Sequence, residues 1–364
     1  MEIKLPDVKV AAGLFSHWDS FIKVDGNVLK WIKDSRKVKP QKTELKSIEE
    51  VVYSLNNAIK KGGEEFLISE EVYKELLSVF PERRTGLGGN GNNMGRTLFS
   101  LGLKPLVSYP LRPKRLMLAS PNFKVAVKNK FRIPSKAIRD DPEYEHIIFE
   151  FRNDRHILSW NPAERKGVFD HDFLRFACNP KFTDVLILAY AHLLLPRYKK
   201  RTDIIIENLK KKRPKVHLEF GTGCKDSMKY AMEKFAEYGC CDSFGLNEKE
   251  CKIYFKSKTE NRNDLIESAL NALKEYSLNR ICVHTPEFAF SVSKNSVRKE
   301  IDALESACFI ASSITGKKPV VKPTKKRLGN YNLCLVKTKL NPKPRTSTGL
   351  GDAFTAVQAI KSLL

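Results

Sequence analysis

The chain has 364 residues, 41% of them hydrophobic and 29% charged, and a formal net charge of +23. That is a globular composition, long enough for two domains or for one domain with a large insertion, and it excludes disordered and fibrous classes. The longest apolar run, over 185–196, falls short of the roughly 18 residues that cross a bilayer, and the first six residues lack a signal-peptide hydrophobic region, so a cytoplasmic protein is expected.

Residues 11–24 begin apolar and pass into an alternating stretch that reads as a strand, while 28–41 are lysine-rich and weakly patterned. Helical spacing covers 47–61 and 70–80. A glycine loop over 86–91 leads into a helix and then a strand at 104–108. Residues 110–165 hold short strand-like pieces at 123–127, 147–151 and 156–159, with no long helix, and read as part of a separate small sheet. From 183 onward apolar strands alternate with helices. Strands are expected at 184–189, 216–220, 243–246, 279–284 and 331–337, and helices at 202–212, 226–238, 264–276 and 299–315. Such alternation predicts an α/β fold with a mostly parallel, doubly wound sheet covered by helices on both faces. Ligands collect at the carboxyl ends of the strands in such sheets.

The positive charge suits nucleic acid or a phosphorylated small molecule. Its clusters are short, as at 199–201, 210–213 and 325–327, and no segment interleaves them with aromatics, so solvated faces are expected and nucleic acid is disfavoured. The eight cysteines form no C-x-x-C pair and read as free structural thiols. Scarce glutamine beside abundant Lys and Glu leans toward a hot environment. His146, His156, His171 and His192 are isolated and read as structural or surface residues.

The most informative segment is Gly349-Leu350-Gly351-Asp352, followed by Ala353, Phe354, Val357 and Ile360 at helical spacing. Two glycines before a helix turn bare amides toward one point, where the helix dipole also favours an anion. Asp352 then stands beside any phosphoryl group held there, placed to take a proton from an attacking hydroxyl. A plain glycine turn with an acidic first helical turn is the alternative. Glu219 ends one strand and Asn247 another, with Glu250 three residues later. Such oxygens suit Mg2+, which keeps several waters and needs few carboxylates. Glu219 as a solvated strand-end acid and Asn247 with Glu250 as a capping box remain open, and the capping box is compatible with function.

In this order and spacing the segments resemble the ADP-dependent sugar kinases, the archaeal glucokinase and phosphofructokinase family of ribokinase-like fold. The family's H-x-E is matched by His217-Leu218-Glu219, its N-x-x-E by Asn247 to Glu250, and its G-x-G-D by Gly349 to Asp352. Gly88-Gly89-Asn90 resembles its sugar-contact loop, and residues 149–157 resemble a lid strand followed by a phosphate-contacting arginine. Val283-His284-Thr285 resembles a late strand end.

The resemblance implies transfer of the β-phosphoryl of ADP to a sugar hydroxyl with Mg2+, releasing AMP. Asp352 would be the general base, and the amides of Gly349, Leu350 and Gly351 would hold the migrating group. Glu219 and Glu250 would support the metal, with Arg155, Asn247 and His284 on the nucleotide side. His17, Asp19, Gly89 and Asn90 would hold the acceptor, a sugar or sugar phosphate. It also implies a monomer with a large domain over 1–20, 62–110 and 166–364, and a lid over 21–61 and 111–165. The family's N-x-D sugar motif departs here to His17-Trp18-Asp19. Imidazole hydrogen-bonds differently from an amide, which points to a changed acceptor, a nucleoside among the candidates. Arg112, Lys114 and Arg115 leave room for a phosphorylated one.

Overall fold

The computed structural model describes residues 3–41, 44–151, 154–162, 168–190, 197–221, 225–314, 322–337 and 349–364. Asn153 of the expected phosphate-contacting element, His192 and Cys224 lie outside these residues.

Nine strands form the larger sheet, in the order Lys322–Leu328, Tyr331–Lys337, Phe288–Ser293, Arg280–His284, Ser243–Asn247, Lys215–Phe220, Val185–Tyr190, Val10–Gly13 and Leu106–Val107. From Arg280–His284 to Leu106–Val107 every pairing is parallel. The interior strand Val185–Tyr190 is buried at all its positions, as a sheet covered on both faces requires. The three strands beyond Arg280–His284 run antiparallel. The doubly wound α/β expectation therefore holds, with an antiparallel extension at one edge.

Six strands form a second sheet: Glu44–Leu45, Glu65–Ile68, Asp154–Ser159, Glu145–Phe151, His17–Lys23 and Arg84–Gly88. Helix Ile48–Lys61 shows how its cover is specified. Ser47 accepts from the Glu50 amide, acids fill the first turn and lysines the last, and Gly62 ends it at φ 111°. Its buried Val51, Val52, Leu55 and Ala58 join Ile147, Phe149 and Leu158 of the sheet in one apolar core.

The expected domain limits need correction here. Glu65–Ile68 and Arg84–Gly88 were assigned to the large body, but they hydrogen-bond within the smaller sheet. Helix Lys114–Ala119 and strand Val125–Val127 were assigned to the lid, but they pack with Val107 and Tyr109 beside the larger sheet. Residues Gly86-Leu87-Gly88, the end of strand Arg84–Gly88, read as a loop because glycine carries no strand signal. Helix Tyr198–Leu209 starts and ends about one turn before its expected limits, entered by Arg197 in the left-handed conformation.

Candidate functional site

Helix Leu350–Leu363 begins at Gly349, whose φ of 80° a side chain rarely adopts. A Cβ there would stand 3.1 Å from Asn93, and one on Gly351 would stand 3.1 Å from His284 Nε2. Both glycines therefore let the helix start press against neighbouring side chains. Asp352 lies in the first turn. Its two oxygens each accept one amide hydrogen, from Asn90 Nδ2 at 2.7 Å and from Asn93 Nδ2 at 2.8 Å. Both asparagines come from the first turn of helix Asn90–Ser100. A carboxylate has about four lone-pair sites, so the grip fixes its plane and leaves room for a hydroxyl proton. Asn90, expected at the acceptor, here holds the Asp352 carboxylate. Asn93 was not singled out in the sequence.

Glu219, Asn247 and His284 sit at the carboxyl ends of three adjacent parallel strands, with Glu219 opposite Gly245 and Asn247 opposite His284. A Cβ on Gly245 would fall 1.9 Å from Glu219 Oε2 and 2.7 Å from His217 Nε2, so this strand position has to be glycine to admit the carboxyl. His217 Nε2 is 3.1 Å from Glu219 Oε2, and His217 Nδ1 is 3.1 Å from Ser243 Oγ. Burial, aided by the charges of Arg280 and His284, holds the His217 ring well below its usual pKa. The contact is therefore a neutral hydrogen bond rather than an ion pair. Gln358, on the Asp352 helix, also reaches His217 Nε2 at 3.0 Å.

Asn247 and Glu250 form the anticipated capping box, each side chain accepting from the other's backbone amide at 2.9 Å. Burial raises the Glu250 carboxyl to about 8, with Glu248 and Asp352 adding to the rise. Glu219 is raised well above the carboxylate range by burial, then by Glu250 and by Asp352. Asp352 thus lies within electrostatic reach of both glutamates, and the three segments meet at one mouth of the larger sheet. His284 is held to about 4 by burial, and its Nδ1 lies 3.8 Å from Glu219 Oε1. Buried carboxyls that resist ionisation together, with a neutral imidazole nearby, form a donor set that a hard dication would compensate. The residues fit Mg2+.

A second cluster lies on the smaller sheet. Asp19 is 2% exposed, and a Cβ on Gly88 would stand 2.1 Å from its Cγ, so the facing glycine makes the carboxylate's space. His17 Nδ1 is 3.1 Å from Asp19 Oδ1. The His17 ring stacks on that of His146 at 3.7 Å, a partner the isolated position of His146 in the chain did not reveal. His146 Nδ1 is 3.2 Å from Ser159 Oγ, which donates to Glu65 Oε1 at 2.8 Å. Desolvation raises the Glu65 carboxyl, and the charges of His17, Arg155 and Asp19 all act on it. Arg155 therefore stands near this cluster, on strand Asp154–Ser159. Gly89, at φ 82°, brings the chain against Phe15 and His17. Of the expected cations, Arg112 is tied to buried Asp170 at 3.1 Å, while the Arg115 guanidinium lies 4.4 Å over the Trp18 ring. His156, as expected, is structural, buried against Ser54 and the Glu64 amide.

Comparison with solved structures shows the same fold. An ADP-dependent kinase in complex with fructose-6-phosphate and ADPβS aligns with a TM-score of 0.79 at 17% identity, over 98% of this chain and 94% of that one. A hypothetical ADP-dependent phosphofructokinase from Pyrococcus horikoshii OT3 aligns with a TM-score of 0.74 at 17% identity, over 99% and 98%. A phosphofructokinase from Pyrococcus horikoshii OT3 with AMP gives a TM-score of 0.74 at 17% identity, over 99% of both. No curated protein matches by sequence. The conserved region of the ADP-specific phosphofructokinases and glucokinases matches residues 8–330, ending before Gly349, so the segment Gly349–Asp352 stands on its geometry. By that match the chain belongs to the ADP-specific phosphofructokinase/glucokinase family of ADP-dependent sugar kinases.

Proposed function

We propose that this kinase uses Mg2+ to move the β-phosphoryl of ADP to a hydroxyl of a sugar or sugar phosphate, releasing AMP. The observation that carries the reading is Asp352, held by Asn90 and Asn93 within reach of the buried pair Glu219 and Glu250. Solved relatives of the same fold contain fructose-6-phosphate, an ADP analogue or AMP, which supports the substrate classes.

Asp352 accepts the acceptor's hydroxyl proton while that oxygen bonds to the β-phosphorus. The bond from that phosphorus to the bridging oxygen breaks, and AMP leaves with the electron pair. The amides at Gly349, Leu350 and Gly351 face the migrating phosphoryl, and the helix dipole favours its charge. Mg2+ bound near Glu219 and Glu250 would neutralise phosphate charge. Glu219 and Glu250 would hold the ion, each keeping one oxygen not engaged by His217 or Asn247. Asp19 and His17 bind acceptor hydroxyls, Gly89 gives the backbone close approach, and Arg155 meets phosphate. The smaller sheet acts as a lid domain that keeps water from the donor. We place the enzyme in the cytoplasm of an archaeon as a monomer. No helix among the described residues is long and apolar enough to cross a membrane.

The test is an acceptor screen with ADP and Mg2+, following AMP across hexoses, pentoses, their phosphates and nucleosides. AMP formation dependent on one acceptor class and abolished by chelation supports the proposal. Turnover only with ATP, or none with any acceptor, overturns it.

A further inference from the structure

His17, Asp19 and His146 offer two imidazoles and one carboxylate whose donor atoms all lie within 4.8 Å of one another. Two polar atoms of this trio are orphaned. Among the described residues, Asp19 Oδ1 and His146 Nε2 are buried with no hydrogen-bond partner, which is costly unless a ligand completes them. The 3.1 Å between His17 Nδ1 and Asp19 Oδ1 lacks hydrogen-bond geometry. His17 Nδ1 also faces the Trp18 carbonyl at 3.4 Å, a contact that gives way when the nitrogen and the carboxylate share one ion bonded at about 2.1 Å each.

The protonation of His146 can be followed outward. Ser159 spends its single hydroxyl proton on Glu65, so its oxygen accepts from His146 Nδ1–H. That tautomer leaves Nε2 as a bare lone pair. A carboxylate–hydroxyl–imidazole chain of this kind orients metal-binding histidines. Burial separately favours the neutral, ligating form of His146.

We propose that His17, Asp19 and His146 bind one transition-metal dication of the Zn2+ or Co2+ class, at a site separate from the oxygen-lined Glu219–Glu250 pair. Nitrogen donors favour such ions over Mg2+. The stacked rings, tilted by 28°, swing apart by side-chain rotation to bring both nitrogens to the ion. The site depends on His17, since an asparagine at that position, as in the N-x-D pattern, would leave only two good ligands. The seven described cysteines are all buried and do not compete for the ion. The ion would occupy the proposed acceptor position, so it excludes the acceptor when bound.

The test uses metal-stripped full-length protein with excess Mg2+, titrated with Co2+ and read by its visible absorption. Equilibrium dialysis against Zn2+ then gives the stoichiometry. Wild type is expected to bind about one ion per chain, and His17→Asn and His146→Ala to bind at least 10-fold more weakly. Ser159→Ala should weaken binding on the order of 10-fold through lost orientation. Thermal unfolding checks that each variant is folded, and His17→Asn serves as the mild one. Absence of a Co2+ band, or equal binding by wild type and folded His17→Asn, overturns the site. The readout needs no acceptor, so its failure leaves the acceptor screen intact, and a failed screen leaves the metal count unchanged.

Discussion

Replacing Glu250 with glutamine measures how strongly the mouth of the larger sheet resists charge. The glutamine carbonyl can still accept from the Asn247 amide, so the capping box survives while the titration disappears. Burial, then Glu248 and Asp352, hold the Glu250 carboxyl near 8 against an ordinary 4.5. The folded metal-free chain therefore keeps a proton that the unfolded chain releases. Its contribution to stability is whole below pH 4.5 and is lost as the pH rises toward 8. At about 1.4 kcal/mol per unit, the two limits correspond to at most about 5 kcal/mol across that window. For a chain of this size that is on the order of 10 °C in the unfolding midpoint.

Scanning calorimetry of chelator-treated protein from pH 5 to pH 8.5 should show the wild type losing stability with rising pH more steeply than Glu250→Gln. The variant should be the more stable of the two at the alkaline end. Mg2+ should reverse the wild-type loss by taking the protons' place, and should shift the variant far less. Parallel pH curves with equal Mg2+ responses would refute a buried carboxyl that is shared with a metal.

Asp352→Asn should lower kcat by about 10² to 10⁴, the usual worth of a general base, with ADP affinity by calorimetry nearly unchanged; full turnover would remove Asp352 from the base role. Asn93→Ala removes one hydrogen bond to a carboxylate, about 1.5–3 kcal/mol, so kcat should fall roughly 10- to 100-fold with little change in the acceptor KM. An effect confined to KM would place Asn93 at the acceptor instead. Gly245→Ala forces a methyl into the space of the Glu219 carboxyl. It should cost about 1–3 kcal/mol of stability and raise the Mg2+ concentration for half activity, and an unchanged Mg2+ response would separate Glu219 from the metal.

The mouth of the larger sheet was legible because its signals are local. Apolar strands ending in Glu219, Asn247 and His284, and a glycine pair before an apolar helix, each declare themselves within a few residues. The smaller sheet was harder to read. Glu65–Ile68 is short, and Arg84–Gly88 hides its strand behind two glycines. Lys322–Leu328, an edge strand rich in lysine, carries almost no apolar alternation, since cationic side chains protect a free edge. Phe288–Ser293 breaks the strand–helix rhythm by returning antiparallel after a short turn. The pairing of His17 with His146 could not be read at all. It depends on the parallel register that sets Asp19 opposite His146, and no local pattern encodes which distant strands will become neighbours.

Two of the crossings between the sheets use very little chain. Strand Val10–Gly13 of one passes through Leu14–Ser16 into strand His17–Lys23 of the other. Strand Arg84–Gly88 crosses back through Gly89 alone to the helix bearing Asn90 and Asn93. Connectors this short act as a crank rather than a tether. A rocking of the smaller sheet over a guest would be delivered straight to the carboxamides that hold the Asp352 carboxyl. If Asp352 is the proton acceptor and the smaller sheet holds the guest, as proposed, then grasping the guest and cocking that carboxyl would become one movement, which would give an empty enzyme a mechanical reason to spare its ADP.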